Sequence, residues 1–226
     1  MSDQPPSPEL LRSLGRLVRG LSALFWGLPA ALIICVLTVR ANHLRPSGLV
    51  PALVVLGLLF YGLWQMGDFQ KQERPWRSAL DRTRLLALIN VGLSPFLYWW
   101  NHFPLQVYFL TGVGVLVLSS LLFLFNLNLV IARLGAMLPD ETLRQETRSF
   151  TAMNRGLLVV LLLLTGVYLF LWGMPEIPDQ LGIFIAWLEQ YRLWVLVFLL
   201  LLPLAMTMAL IWKTKEVIMD SVFGAK

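Results

Sequence analysis

The chain has 226 residues, a formal net charge of +5 and a mean hydropathy of +0.71. Charged residues make up 14% of it and hydrophobic residues 58%. Soluble domains carry about 25% charged residues, so this balance excludes an ordinary water-soluble domain and points to an integral membrane protein. The single cysteine, Cys35, rules out an intrachain disulfide and a cysteine metal centre.

The N-terminus, MSDQPPSPELL, is acidic and proline-rich. It lacks the basic n-region and small-residue cleavage site of a secretory signal, so the first apolar segment is expected to remain as a membrane anchor. Ser7 followed by Pro8 and Glu9 reads as a helix start: an N-cap, a proline at the first position and an acid in the first turn. The helix that follows carries Arg12, Arg16 and Arg19 on one face and Leu10, Leu14, Leu17 and Leu21 on the other.

Six membrane spans are expected, near 21–39, 49–67, 85–100, 107–132, 157–174 and 193–212, each free of Asp, Glu, Lys and Arg. Most reach the roughly 17–25 residues needed to cross about 30 Å of hydrocarbon; the third is short. The turn between the third and fourth is NHFPLQ. Fifteen Lys and Arg residues fall in the two tails and the loops 68–84 and 133–156, against Arg40, Arg45 and Arg192 on the other side. Orientation follows the positive residues of short loops, which places both termini in the cytoplasm, in a bacterial-type inner membrane. The rings agree, with YWW at 98–100 and Tyr108 at the outer boundary and Trp64 and Trp212 at the inner one.

An arginine pair seven residues apart, opening with Arg-Ser, recurs before alternate spans as Arg12 and Arg19, Arg77 and Arg84, and Arg148 and Arg155. Seven residues make about two helical turns, so each pair lies on one face. The fold class expected is therefore an all-α integral membrane protein of one polytopic domain, 1–226. Its six transmembrane helices form three tandem hairpins, each preceded by a short amphipathic interfacial helix on the cytoplasmic side. The repeats are expected at 8–67, 72–138 and 140–215, related by an axis along the membrane normal. The six arginines are candidate contacts for anionic lipid headgroups or for partner proteins.

Candidate chemistry is sparse. His43 and His102, each after an asparagine, are expected at the outer face, where two imidazoles could hold a haem or a chlorophyll magnesium. Asn90, Asn126 and Asn128 are polar groups within spans, read as interhelical hydrogen-bond partners. Pro29, Pro95 and Pro203 fall inside spans and are expected to bend them. No span holds an ionisable group of the kind that carries coupling charge in pumps, and no catalytic motif, metal site or cofactor signature is present.

These features imply a non-catalytic membrane subunit or scaffold, with lipids and either protein partners or further copies of itself around it. The alternatives are a passive channel, lipid-handling protein or facilitator, and a pigment- or haem-binding subunit using the two histidines. Nucleic acid is not an expected partner.

Overall fold

The computed structural model describes residues 8–40, 48–70, 72–137, 141–172 and 200–220. Every regular element among them is an α-helix: α1 (Pro8–Arg40), α2 (Val50–Met66), α3 (Arg74–Leu93), α4 (Pro95–His102), α5 (Val107–Met137), α6 (Glu141–Trp172) and α7 (200–220). Three helices are long and apolar enough to cross a membrane: Leu11–Arg40 of α1, all of α5, and Arg148–Val167 of α6. α2 is equally apolar but has 17 residues, about 25 Å at 1.5 Å per residue. Pro51 in its first turn and the cap at Gly67 bound it.

Two sequence expectations change here. The amphipathic stretches are not separate interfacial helices, because α1, α3 and α6 each run unbroken from their arginine pair into apolar sequence. No proline or paired glycines stand at the polar-to-apolar boundary, so nothing stops helix propagation there. The expected third span, 85–100, is divided between α3 and α4 at Ser94. Pro95 has no N–H to give to Val91 O, and Ser94 serves that carbonyl instead: its hydroxyl donates to Val91 O at 2.8 Å, and its N–H, bonded to Asn90 O at 3.0 Å, also reaches Val91 O at 3.3 Å. Ser7 and the first residues of the sixth expected span lie outside the described residues, as does His43.

α1 and α2, α2 and α3, and α5 and α6 pack antiparallel. In the α1–α2 hairpin, Gly20 stands against Gly62 and Gly27 against Leu59. A β-carbon on Gly20 would lie 2.6 Å from Gly62 O, so the missing side chains are what let the two backbones touch. Trp76 is fully buried at the start of α3, and its indole N–H donates to Phe69 O at 3.1 Å, pinning the α2–α3 turn. At the opposite end, the Asn101 amide donates to Thr38 O at 3.1 Å and ties α4 to α1. One core, including Leu17, Leu24, Leu63, Leu127, Ile131 and Ile211, runs through the described bundle.

The antiparallel order carries Arg12, Arg16, Arg19, Arg74, Arg77, Arg82, Arg133 and Arg148 to one end of the bundle. The other end gathers rings. Trp99 stacks on Phe103 and on Phe109 with centroids 6.3 and 6.2 Å apart, and Phe96 packs on Tyr108 at 5.8 Å. Arg40 is the one described Lys or Arg known to sit among the ends of α1 and α4 and the starts of α2 and α5. This is the charge asymmetry of a membrane-spanning bundle with an aromatic belt.

The buried faces also give the register of the arginine-pair segments. Three, six, ten and thirteen residues after the leading arginine, the second copy buries Leu80, Thr83, Ala87 and Asn90, and the third buries Thr151, Asn154, Leu158 and Leu161. The first copy buries Leu17, Leu21 and Leu24, with Gly20 beside them, and the three leucines stand one residue earlier than the last three of that series. A one-residue slip turns a helix by about 100°, which swings Arg19 out to solvent while Arg84 and Arg155 stay half-buried.

Candidate functional site

The described interior holds one dense polar cluster, where α5, α6 and α7 meet. Asn128, Asn154 and Thr207 are all 0% exposed. The Asn154 amide N–H₂ donates to Asn128 Oδ1 at 2.9 Å, to Thr207 Oγ1 at 3.0 Å and to Pro203 O at 3.2 Å. The Asn128 amide donates to Thr207 Oγ1 at 2.9 Å and to Leu124 O of its own helix at 2.8 Å. The Thr207 hydroxyl donates to Pro203 O at 2.7 Å. Every member is neutral, so the cluster holds no proton to transfer and no charge to couple. Its chemistry is that of a clamp: each helix is held by a polar group that finds no substitute partner in hydrocarbon.

The arginine pairs divide into two kinds. Arg84 reaches back to the C-terminus of α2. Its Nε and Nη2 donate to Leu63 O at 3.3 and 3.1 Å, Nη2 also reaches Trp64 O at 3.2 Å, and Nη1 meets Asp81 at 3.2 Å. The guanidinium lies 5.5 Å from the Trp64 ring centroid. It thereby serves Leu63 O and adds a second donor to Trp64 O, which also accepts from Gly67 N–H at 3.1 Å, and it sets a positive charge at the negative end of the helix dipole. Arg155 lies 4.8 Å over the Phe125 ring of α5. Arg12, Arg19, Arg77 and Arg148 are exposed. Arg16, which shares their face in α1, pairs with Asp68 beyond the end of α2.

Replacing Arg84 with glutamine is expected to cost about 1–2 kcal/mol, the worth of charged hydrogen bonds to helix-end carbonyls. The exposed Arg77→Gln change is expected to stay within about 0.5 kcal/mol of the parent. Thermal midpoints of the two variants in one detergent compare them directly.

The remaining candidates stand apart. Asn126 donates only to Leu122 O of its own helix, at 2.8 Å. Asn90 is 3% exposed, and its carbonyl oxygen accepts no bond. The Ser119 hydroxyl of α5 is likewise buried without a partner. His102 is exposed at the aromatic end, with Nδ1 3.1 Å from Tyr98 O and its ring 4.3 Å from the Tyr98 ring. Those contacts fix it to its own helix. No group of three or more His, Cys, Asp or Glu residues fit to hold a metal occurs among the described residues.

No family model matches the chain, and comparison with curated proteins and with solved structures finds no similar protein. The arrangement of side chains therefore carries the functional argument alone.

Sequence reading selected Asn128 but missed Asn154 and Thr207. Asn154 stands next to Arg155, so the hydropathy pattern assigns it to a loop. In the fold it lies on the buried face of a continuous helix. A polar residue six positions after the leading arginine, Thr83 in the second copy and Asn154 in the third, is the signal that could have found it.

Proposed function

We propose that the protein is a non-catalytic membrane subunit or scaffold that holds a place in a larger assembly, either with a partner or with copies of itself. On this reading the chain crosses the membrane six times as three hairpins. Both termini and the arginine-rich end face the cytoplasm of a bacterial-type inner membrane. The exposed arginines, Arg12, Arg19, Arg77 and Arg148, meet anionic headgroups or acidic partner surfaces there.

The observation that carries the reading is the hydrogen-bonding of Asn128, Asn154 and Thr207 to one another across α5, α6 and α7. These buried polar side chains bind helices to one another and are not turned toward a passage. Around them the exterior is lined by large apolar side chains such as Trp26, Ile33, Val54, Leu88 and Leu163, all exposed in the single chain, as suits a body surrounded by lipid or by apolar partner helices.

Reconstitution separates this from the passive-channel alternative. Liposomes containing only this protein are expected to retain ions and small solutes and to move lipid between leaflets no faster than empty liposomes. A protein-dependent leak or lipid flux would instead support a facilitator.

A further inference from the structure

We propose that Thr151, Asn154 and Arg155 of α6 hold a buried water molecule that completes the α5–α6–α7 cluster. Three atoms within one turn of this helix are buried without a protein partner: Thr151 Oγ1, Asn154 Oδ1 and Arg155 Nε. Thr151 is 4% exposed and Asn154 0%. Residues three and four apart on a helix have Cβ atoms about 5–6 Å apart, a separation that one water bridges. Asn154 and Arg155 both face α5, through Asn128 and Phe125.

Thr151 is the exception among comparable residues. Thr38, Thr83, Thr111, Thr165, Thr207 and Thr214 each donate their hydroxyl to the carbonyl four residues back, at 2.7–2.8 Å. Thr151, on the buried face of an equally regular helix, does not. Its hydroxyl is left to bond something else.

The chemistry of the three atoms selects the occupant. Asn154 Oδ1 needs a donor, Arg155 Nε–H needs an acceptor, and the Thr151 hydroxyl can serve as either. An anion cannot donate to the amide oxygen, and a metal cation is repelled by the guanidinium. An acyl chain does neither. A neutral group that both donates and accepts is required, and a water with three polar partners meets the usual condition for burial.

The test is water-edited solid-state NMR on the full chain in lipid bilayers, with Thr83 as the internal control. Thr83 is 0% exposed, its hydroxyl is bonded to Ala79 O, and it stands six residues after its leading arginine, as Asn154 does. Magnetisation from water is expected to reach Thr151 severalfold faster than Thr83. Equal build-up at the two threonines would overturn the proposal. So would build-up at Thr151 from lipid glycerol protons in place of water, which would make the occupant a lipid hydroxyl.

Discussion

Asn154→Leu is expected to destabilise the protein by about 1–3 kcal/mol, the cost of leaving buried partners without their bonds. The leucine removes the donor that serves Asn128, Thr207 and Pro203. Asn128 Oδ1 then loses the donor that serves it, in a core built largely of leucines. A single hydrogen bond between membrane helices is worth roughly 1 kcal/mol, so the size of the loss reflects three contacts failing together. Asn126→Leu is the control, because that amide bonds only to its own helix, and it is expected to be nearly neutral. Adding Asn128→Leu to Asn154→Leu should cost less than the two single changes combined, because the double variant strands no partner amide. Strict additivity in that cycle would show that the two amides do not act as one unit.

Gly20→Leu is expected to be comparably damaging for the opposite reason, excess volume. A β-carbon at Gly20 meets Gly62 O at 2.6 Å and Met66 Cγ at 2.8 Å, and on the partner helix a β-carbon at Gly62 meets Gly20 O at 3.0 Å. Met66 can give way, but the carbonyl cannot move unless α1 and α2 separate. Overpacking of this kind costs about 1–3 kcal/mol, occasionally more. Gly57 lies in the same hairpin with nothing within 4 Å of its would-be β-carbon. Gly57→Ala is therefore expected to be neutral or to stabilise by up to about 1 kcal/mol through helix propensity. Thermal midpoints of the two variants distinguish a packed glycine from a free one, although hydropathy treats them alike.

The sequence revealed the parts of the fold that depend on local composition. Charge-free runs marked α1, α2, α5 and α6, and the uneven distribution of arginine foretold a bundle charged at one end. The span over 85–100 misled, because its apolar content is right while Pro95 and Ser94 divide it into two helices. The arginine pairs were visible as a pattern, but their targets were not. Nothing near Arg84 in sequence announces that it will cap carbonyls twenty residues earlier, since that depends on how α3 folds back on α2. Arg19 belongs to the same pattern and points elsewhere, because its segment is buried one residue out of step with the other two. Thr207 was hidden for a different reason: a helical threonine usually bonds its own backbone. This one does so and also accepts from two asparagines.

The scaffold reading is tested most directly by extracting the protein from its native membrane in a mild detergent and measuring the intact mass of everything that stays with it. The account predicts a particle of fixed composition, either a stoichiometric partner or a defined number of copies, that persists across several mild detergents. A solitary single chain under all of those conditions would contradict it.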